Sequence, residues 1–262
     1  MTAGAYPILS PANRSVAGGC ALAMMIKAPR AGASKTRLCP PLRPEEAAAL
    51  SACFLRDTTA NIADAARATA TPARGVAVYT PVGAEAAFDG LLPAGFALLA
   101  QREGSFGERL HGALVDLFAC GFASVCLIDS DSPTLPRAAL ETAVAALARP
   151  GDRALFGASE DGGYYLLGLK KAHWRLFEAI DWSTERVAAQ TLARAAEIGL
   201  EVERLPTWYD VDDASSLRAL CAEFFDSARV GGYPAPHTRA FVERLLADDS
   251  DGRARLALAL PD

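Results

Sequence analysis

The chain has 262 residues, 51% of them hydrophobic and 22% charged, with a formal net charge of -5. That length and balance fit a soluble globular protein with one large core, and the acidic excess argues against a broad basic face for nucleic acid. No apolar run approaches the ~20 residues of a membrane span, and residues 1–19 lack the charged start and long apolar run of a signal peptide.

Residues 1–19, rich in Pro, Ser, Gly and Asn, are expected as a loose tail, and the expected location is the cytoplasm. An apolar run from Cys20 to Ile26 predicts a buried strand. It leads into KAPRAGASKTRL, where Lys27, Arg30, Lys35 and Arg37 crowd a loop that also holds Pro29 and Gly32. A phosphate cradle needs free backbone N–H groups and cations, and this loop offers both; a solvated basic loop is the alternative. A P-loop is a poor fit, since Ser34 replaces the glycine before the lysine and Pro29 stands where the first glycine belongs.

A long Ala-rich helix is predicted over 44–67, with Glu45 and Glu46 in its dipole-favoured first turn. Strands follow at 75–80 and 96–100. The next loop, QREGSFGER, places Gln101, Gly104 and Gly107 at a helix start, which suits a base or phosphate contact or an ordinary turn. The helix itself is expected over 106–120, with Leu110, Leu114 and Leu117 on one face.

A fourth strand, 124–128, runs into IDSDSPTLP. Asp129 and Asp131 at a strand end suit a hard divalent cation, which takes carboxylate and phosphate oxygens; a capping turn is the alternative. A helix over 137–147 follows. Strands at 153–158 and 164–169 flank Asp161, Gly162 and Gly163, which suit a tight hairpin and a close backbone approach to a ligand. A helix over 184–198 and a strand over 200–204 precede PTWYDVDDASSL. There Asp212 or Asp213 is placed to cap the helix over 213–225, and another of the acids at 210, 212 and 213 to share a metal with Asp131. After a Gly/Pro break, 226–262 is expected as a C-terminal extension, helical over 238–247.

Strands alternating with helices predict an α/β domain over 20–225, with a mostly parallel sheet and helices on both faces. In such sheets ligands sit beyond the carboxyl ends of the strands, where these loops lie. The six cysteines form no CxxC pair and are expected reduced and structural; His111, His173 and His237 have no triad partners in sequence; GxSxG and GxGxxG are absent.

Taken together, K-x-P-x-x-G-x-x-K-T-R-L, S-D-x-P-x-L, D-G-G-Y-Y-L-L-G-L, D-W-S-T and W-Y-D-V-D resemble a bacterial family of GT-A-like transferases. That family is associated with radical-SAM/selenodomain proteins or arsenosugar biosynthesis and lies in the nucleotide-diphospho-sugar transferase superfamily. Molybdenum-cofactor and 2-phospholactate guanylyltransferases are more distant relatives. The resemblance spans roughly residues 20–222 and implies a GT-A fold, a nucleotide or nucleotide-sugar donor, a small-molecule acceptor, and Mg2+ or Mn2+. By position it implies a phosphate loop at Lys27, Pro29, Gly32, Lys35 and Arg37 and a nucleotide-side loop at Gln101, Gly104 and Gly107. It likewise implies a metal on Asp131 and Asp212, with Asp210 in the same distal acidic motif, and an acceptor-side turn at Asp161, Gly162 and Gly163; Asp129, an extra carboxylate outside the family pattern, is a further metal candidate or simply faces water. Lys35, Arg37 and Asp161 become the candidate catalytic groups. Asp129 departs from the family pattern, which has glycine there, and Phe106 stands where a smaller aliphatic residue is usual.

Overall fold

A computed structural model of the chain describes residues 6–225, 231–247 and 255–256. Seven strands form one sheet: β1 (Cys20–Lys27), β2 (Ala73–Thr80), β3 (Ala97–Ala100), β4 (Ser124–Ile128), β5 (Ala154–Ala158), β6 (Tyr164–Leu169) and β7 (Val202–Arg204). Their order is β3-β2-β1-β4-β6-β5-β7. All neighbours run parallel except β6, which is antiparallel to β4 and to β5. The carboxyl ends of the other six strands therefore share one edge of the sheet, and β6 starts there. The strand order reverses beside β1, so the loops after β1 and β4 flank the crevice where open α/β sheets bind ligands.

Alternation along the strands builds two cores. Leu22, Met24 and Ile26 face one side, where they pack with α1 (Pro44–Ala68) and α3 (Arg137–Ala148). Ala21 and Ala23 face the other, toward α2 (Phe106–Cys120) and α4 (Val187–Glu197). Both α1 and α2 begin with capping interactions. The Glu46 carboxylate accepts from Arg43 N at 2.7 Å at the start of α1. Ser105 and Glu108 exchange hydrogen bonds at the start of α2.

A third core lies over the ligand edge. Leu38 from the basic loop and Val211 from the acidic motif are both fully buried in it. They pack with Leu50 and Phe54 of α1, Leu217 and Leu220 of α5 (Ala214–Phe225), and Val242 and Leu246 of α6 (Pro236–Ala247). Two loops whose anchors lie 173 residues apart in sequence are thus fastened to one apolar cluster.

The start of the chain departs from the loose tail expected for it. Leu98 N of β3 donates to Pro7 O at 2.9 Å and Leu9 N to Leu98 O at 2.8 Å, covering the exposed edge of the sheet. Val16 N then donates to Cys120 O at 2.9 Å. Residues 1–5 of that expected tail, and 226–230, 248–254 and 257–262 of the expected C-terminal extension, lie outside the described residues. All six cysteines are free thiols.

The described part of the extension is tied to the domain by one buried carboxylate. Asp57 of α1, fully buried, accepts from His237 N at 3.0 Å and Thr238 N at 2.7 Å, two of the N–H groups that the first turn of α6 leaves open. Asp57→Ala strands both donors, and a urea titration should show a loss of about 1–3 kcal/mol.

Candidate active site

The basic loop is a folded structure. Ala33 N and Ser34 N both donate to Arg30 O at 3.0 Å, and the Ser34 hydroxyl accepts from Arg30 N at 3.0 Å. Gly32 takes a φ of 71° in this turn, a conformation that favours glycine. Lys35 also sits in the left-handed region, at φ 51°, and this uncommon backbone for a lysine aims its side chain across the crevice.

The Lys35 ammonium lies 2.7 Å from Asp131 Oδ1 and 2.8 Å from Asp212 Oδ1, and donates to Val211 O at 2.8 Å. Its side chain is only 8% exposed and lies over the Phe54 ring. Burial pulls its pKa down, but the charges and hydrogen bonds of Asp131 and Asp212 outweigh this and hold it above the usual lysine value. Asp131 and Asp212 thus converge on one cation. A divalent ion asks for the same convergence of hard oxygens; Asp131 and Asp212 are two such donors, and no group of three or more His, Cys, Asp or Glu side chains among the described residues is arranged to hold a metal.

The neighbouring acids differ from one another. Asp129 turns inward: its Oδ2 accepts from the Ser132 hydroxyl at 2.7 Å, while Oδ1 is buried with no hydrogen-bond partner among the described residues. Burial, then the Asp131 charge, push it well above the carboxylate range. Asp210 is raised to about 6, first by burial and then by Asp161 and Asp212. Asp213 caps α5, accepting from Ser215 N and Ser216 N at 2.9 and 2.8 Å.

Two cavities meet at this cluster. A cleft of about 260 Å³ is lined by Lys27, Lys35, Thr36, Arg37, Asp131 and Asp212, among others. A larger one, of about 670 Å³, shares Arg37, Asp131 and Asp212 and extends past Asp129, Asp161, Gly163 and Asp210 to Phe106 and Trp182. Arg37 stands between them with its side chain 75% exposed and its only ion-pair contact among the described residues at 3.9 Å, to Asp212. Lys27 donates to Ala33 O at 3.2 Å on the rim.

The turn at Asp161, Gly162 and Gly163 is built as a hairpin. Asp161 Oδ1 accepts from Gly163 N at 2.8 Å. Gly162, at φ 89°, lies so close to Glu185 that a Cβ there would sit 2.2 Å from the Glu185 carbonyl oxygen. Glu160 N donates to Trp208 O, bonding the hairpin to the segment that carries Asp210 and Asp212.

The loop after β3 has a more internal place. The Gln101 amide donates to Ile26 O at 3.1 Å and Val78 O at 2.8 Å, tying strand ends together. Gly107 is packed on Trp182, and neither these two residues nor Gly104, Pro29 and Gly32 line either cavity. Phe106 does line the larger one, edge-on to Trp182 at 5.1 Å. Reading the sequence did not find Trp182, Tyr164, Glu160 and Glu185 as site residues; Trp182 had a signal, the D-W-S-T run.

Comparison with known proteins agrees with the observed fold. A candidate nucleotide-diphospho-sugar transferase from Desulfovibrio desulfuricans G20 superposes with a TM-score of 0.76 at 27% identity, covering 91% of this chain and 98% of that one. The chain has a nucleotide-diphospho-sugar transferase fold. CMP:2-keto-3-deoxy-manno-octonic acid synthetase complexed with CTP shares the fold at 12% identity and TM-score 0.50, over 79% of this chain and 99% of that one. A cytidylyltransferase from Leptospira borgpetersenii serovar Hardjo-bovis does so at 10% identity and TM-score 0.50, over 94% of this chain and all of the other. A family described as an uncharacterized protein conserved in bacteria (DUF2064) matches residues 62–184. That span holds Asp129, Asp131 and Asp161 but neither Lys35 nor Asp212. No protein of curated function matches the sequence.

Two outcomes test the electrostatics. Lys35→Met leaves Asp131 and Asp212 facing each other, and thermal unfolding should show a loss of about 1–2 kcal/mol, held down because solvent reaches both carboxylates. Asp210 holds a proton in the folded state at pH values where the unfolded chain has lost it. Its contribution therefore declines as pH rises toward about 6 and stays low above. Asp210→Asn should exceed wild type by about 1 kcal/mol at pH 7.5, the gap closing toward pH 4.

Proposed function

We propose that the protein is a metal-dependent transferase that uses a nucleotide-sugar donor and passes the sugar to a small-molecule acceptor. The observation that carries this reading is the convergence of Lys35, Asp131 and Asp212 where a basic cleft opens into a larger cavity. A donor with a diphosphate would span that junction, its phosphates toward Lys27, Lys35 and Arg37.

When bound, Mg2+ or Mn2+ would be held by Asp131 and Asp212 and would offset charge on the departing diphosphate. Arg37 has the free, planar fork suited to phosphate oxygens. Lys35 is already charged in the site and, once released from the aspartates, adds a second fixed cation beside the leaving group. Asp161, on the hairpin of the larger cavity, is the proposed base. As the acceptor oxygen bonds to the sugar carbon, the hydroxyl proton passes to the Asp161 carboxylate. The carbon–oxygen bond to the diphosphate breaks, and the diphosphate leaves with that electron pair. Such catalysis is positioning and preorganised charge.

A second reading has one observation in its favour. Three cations lining the smaller cleft suit a triphosphate as well as a diphosphate, which would make the enzyme a nucleotidyltransferase joining an NTP to a phosphorylated acceptor.

Calorimetry with nucleoside triphosphates and nucleotide-sugars, with and without Mg2+, tests both. The expected result is Mg2+-dependent binding of nucleotide-sugar, lost in Asp131→Ala and weakened about tenfold in Arg37→Ala. Binding of neither ligand class by wild type would overturn the transferase reading. Unchanged binding by Asp131→Ala would remove the metal from it.

A further inference from the structure

The larger cavity has a chemical bias that the transferase reading leaves unused. Among the described residues, Arg37 is its sole cationic lining residue, and Arg37 stands at the end shared with the phosphate cleft. All other charged groups lining it are carboxylates. These include the solvent-exposed Glu160, Asp161 and Glu185, none of which has an ion-pair partner among the described residues. The Gly162 contact sets the hairpin tip against Glu185, so Asp161 and Glu185 border the same part of the cavity.

Aromatic side chains line the same cavity. Phe106 is 43% exposed and meets Trp182 edge-on at 5.1 Å. Tyr164 lines the same space, and its hydroxyl is buried without a hydrogen-bond partner among the described residues. Leu110, Leu127 and Val187 complete an apolar surface. Carboxylates accept hydrogen bonds from hydroxyl or ammonium groups and repel phosphates, while aromatic faces take the apolar side of a ring or a cationic group.

We infer that the acceptor is a non-anionic compound, neutral or cationic, that bears both hydroxyl groups and an apolar face, and that phosphorylated acceptors are excluded. This rests on the transferase reading and sharpens it. A nucleotidyl transfer onto an acceptor phosphate would bring an anion into the part of the cavity where the carboxylates have no cation. A glycosyl transfer onto a hydroxyl group brings none.

The test is calorimetry with three matched probes at millimolar concentration: phenyl β-glucoside, its 6-phosphate, and its 6-amino-6-deoxy analogue. Each is titrated with and without Mg2+ and a bound nucleotide. The neutral and amino probes should bind, and the 6-phosphate should bind at least about tenfold more weakly. Trp182→Ala should weaken the neutral probe. The conservative pair Asp161→Asn with Glu185→Gln should shrink the penalty on the phosphate to below about threefold. A 6-phosphate that binds as well as or better than the neutral probe overturns the inference. So does failure of all three probes on protein that binds nucleotide, and in both cases the transferase reading stands. Protein that binds no nucleotide loses that reading as well.

Discussion

The site depends on one buried ammonium. Lys35 brings two carboxylates from different strand-end loops to within 2.8 Å of a single point. Without a cation there, Asp131 and Asp212 would repel each other in a partly desolvated crevice. With it, the loops after β1, β4 and β7 are held together. In the proposed reaction Lys35 would have two alternative sets of partners, the aspartates and a ligand phosphate.

The ion cluster could not form on its own. Leu38 and Val211 are the apolar anchors beside Lys35 and Asp212, and both are fully buried in a core that sits outside the sheet. Burying side chains of that size stabilises by roughly 2 kcal/mol each, enough to hold both loops in one geometry. The core is completed by α5 and α6, and α6 is fixed by Asp57. Tyr233 N reaches Thr134 O, and the Thr134 hydroxyl donates to Tyr209, next to Asp210. The extension at the end of the chain is thereby connected to the acidic motif, which gives a reason for it beyond stability.

Charge divides the crevice into two chemistries. The smaller cleft gathers Lys27, Lys35 and Arg37; the larger cavity gathers acids and aromatic rings. A site that must hold a polyanion next to something chemically unlike it benefits from that separation. The wall between is made of the groups proposed to act at the bond that breaks.

The sequence by itself determined the alternation of strands and helices, the acidic first turn of α1, the hairpin at Gly162, and the placement of basic and acidic motifs at strand ends. Those features come from periodicity, turn chemistry and near neighbours, which a linear reading contains. Tertiary structure decided the insertion of antiparallel β6 between β4 and β5, and the packing of residues 7–9 along β3. It decided too that Gln101 bonds to strand carbonyls, that Asp129 turns inward, and that Lys35 pairs with acids 96 and 177 residues away. Each of these depends on which distant groups share a low-dielectric space. Charge and burial there act through distance, and distance between loops is set only when the sheet brings the strand ends to one edge.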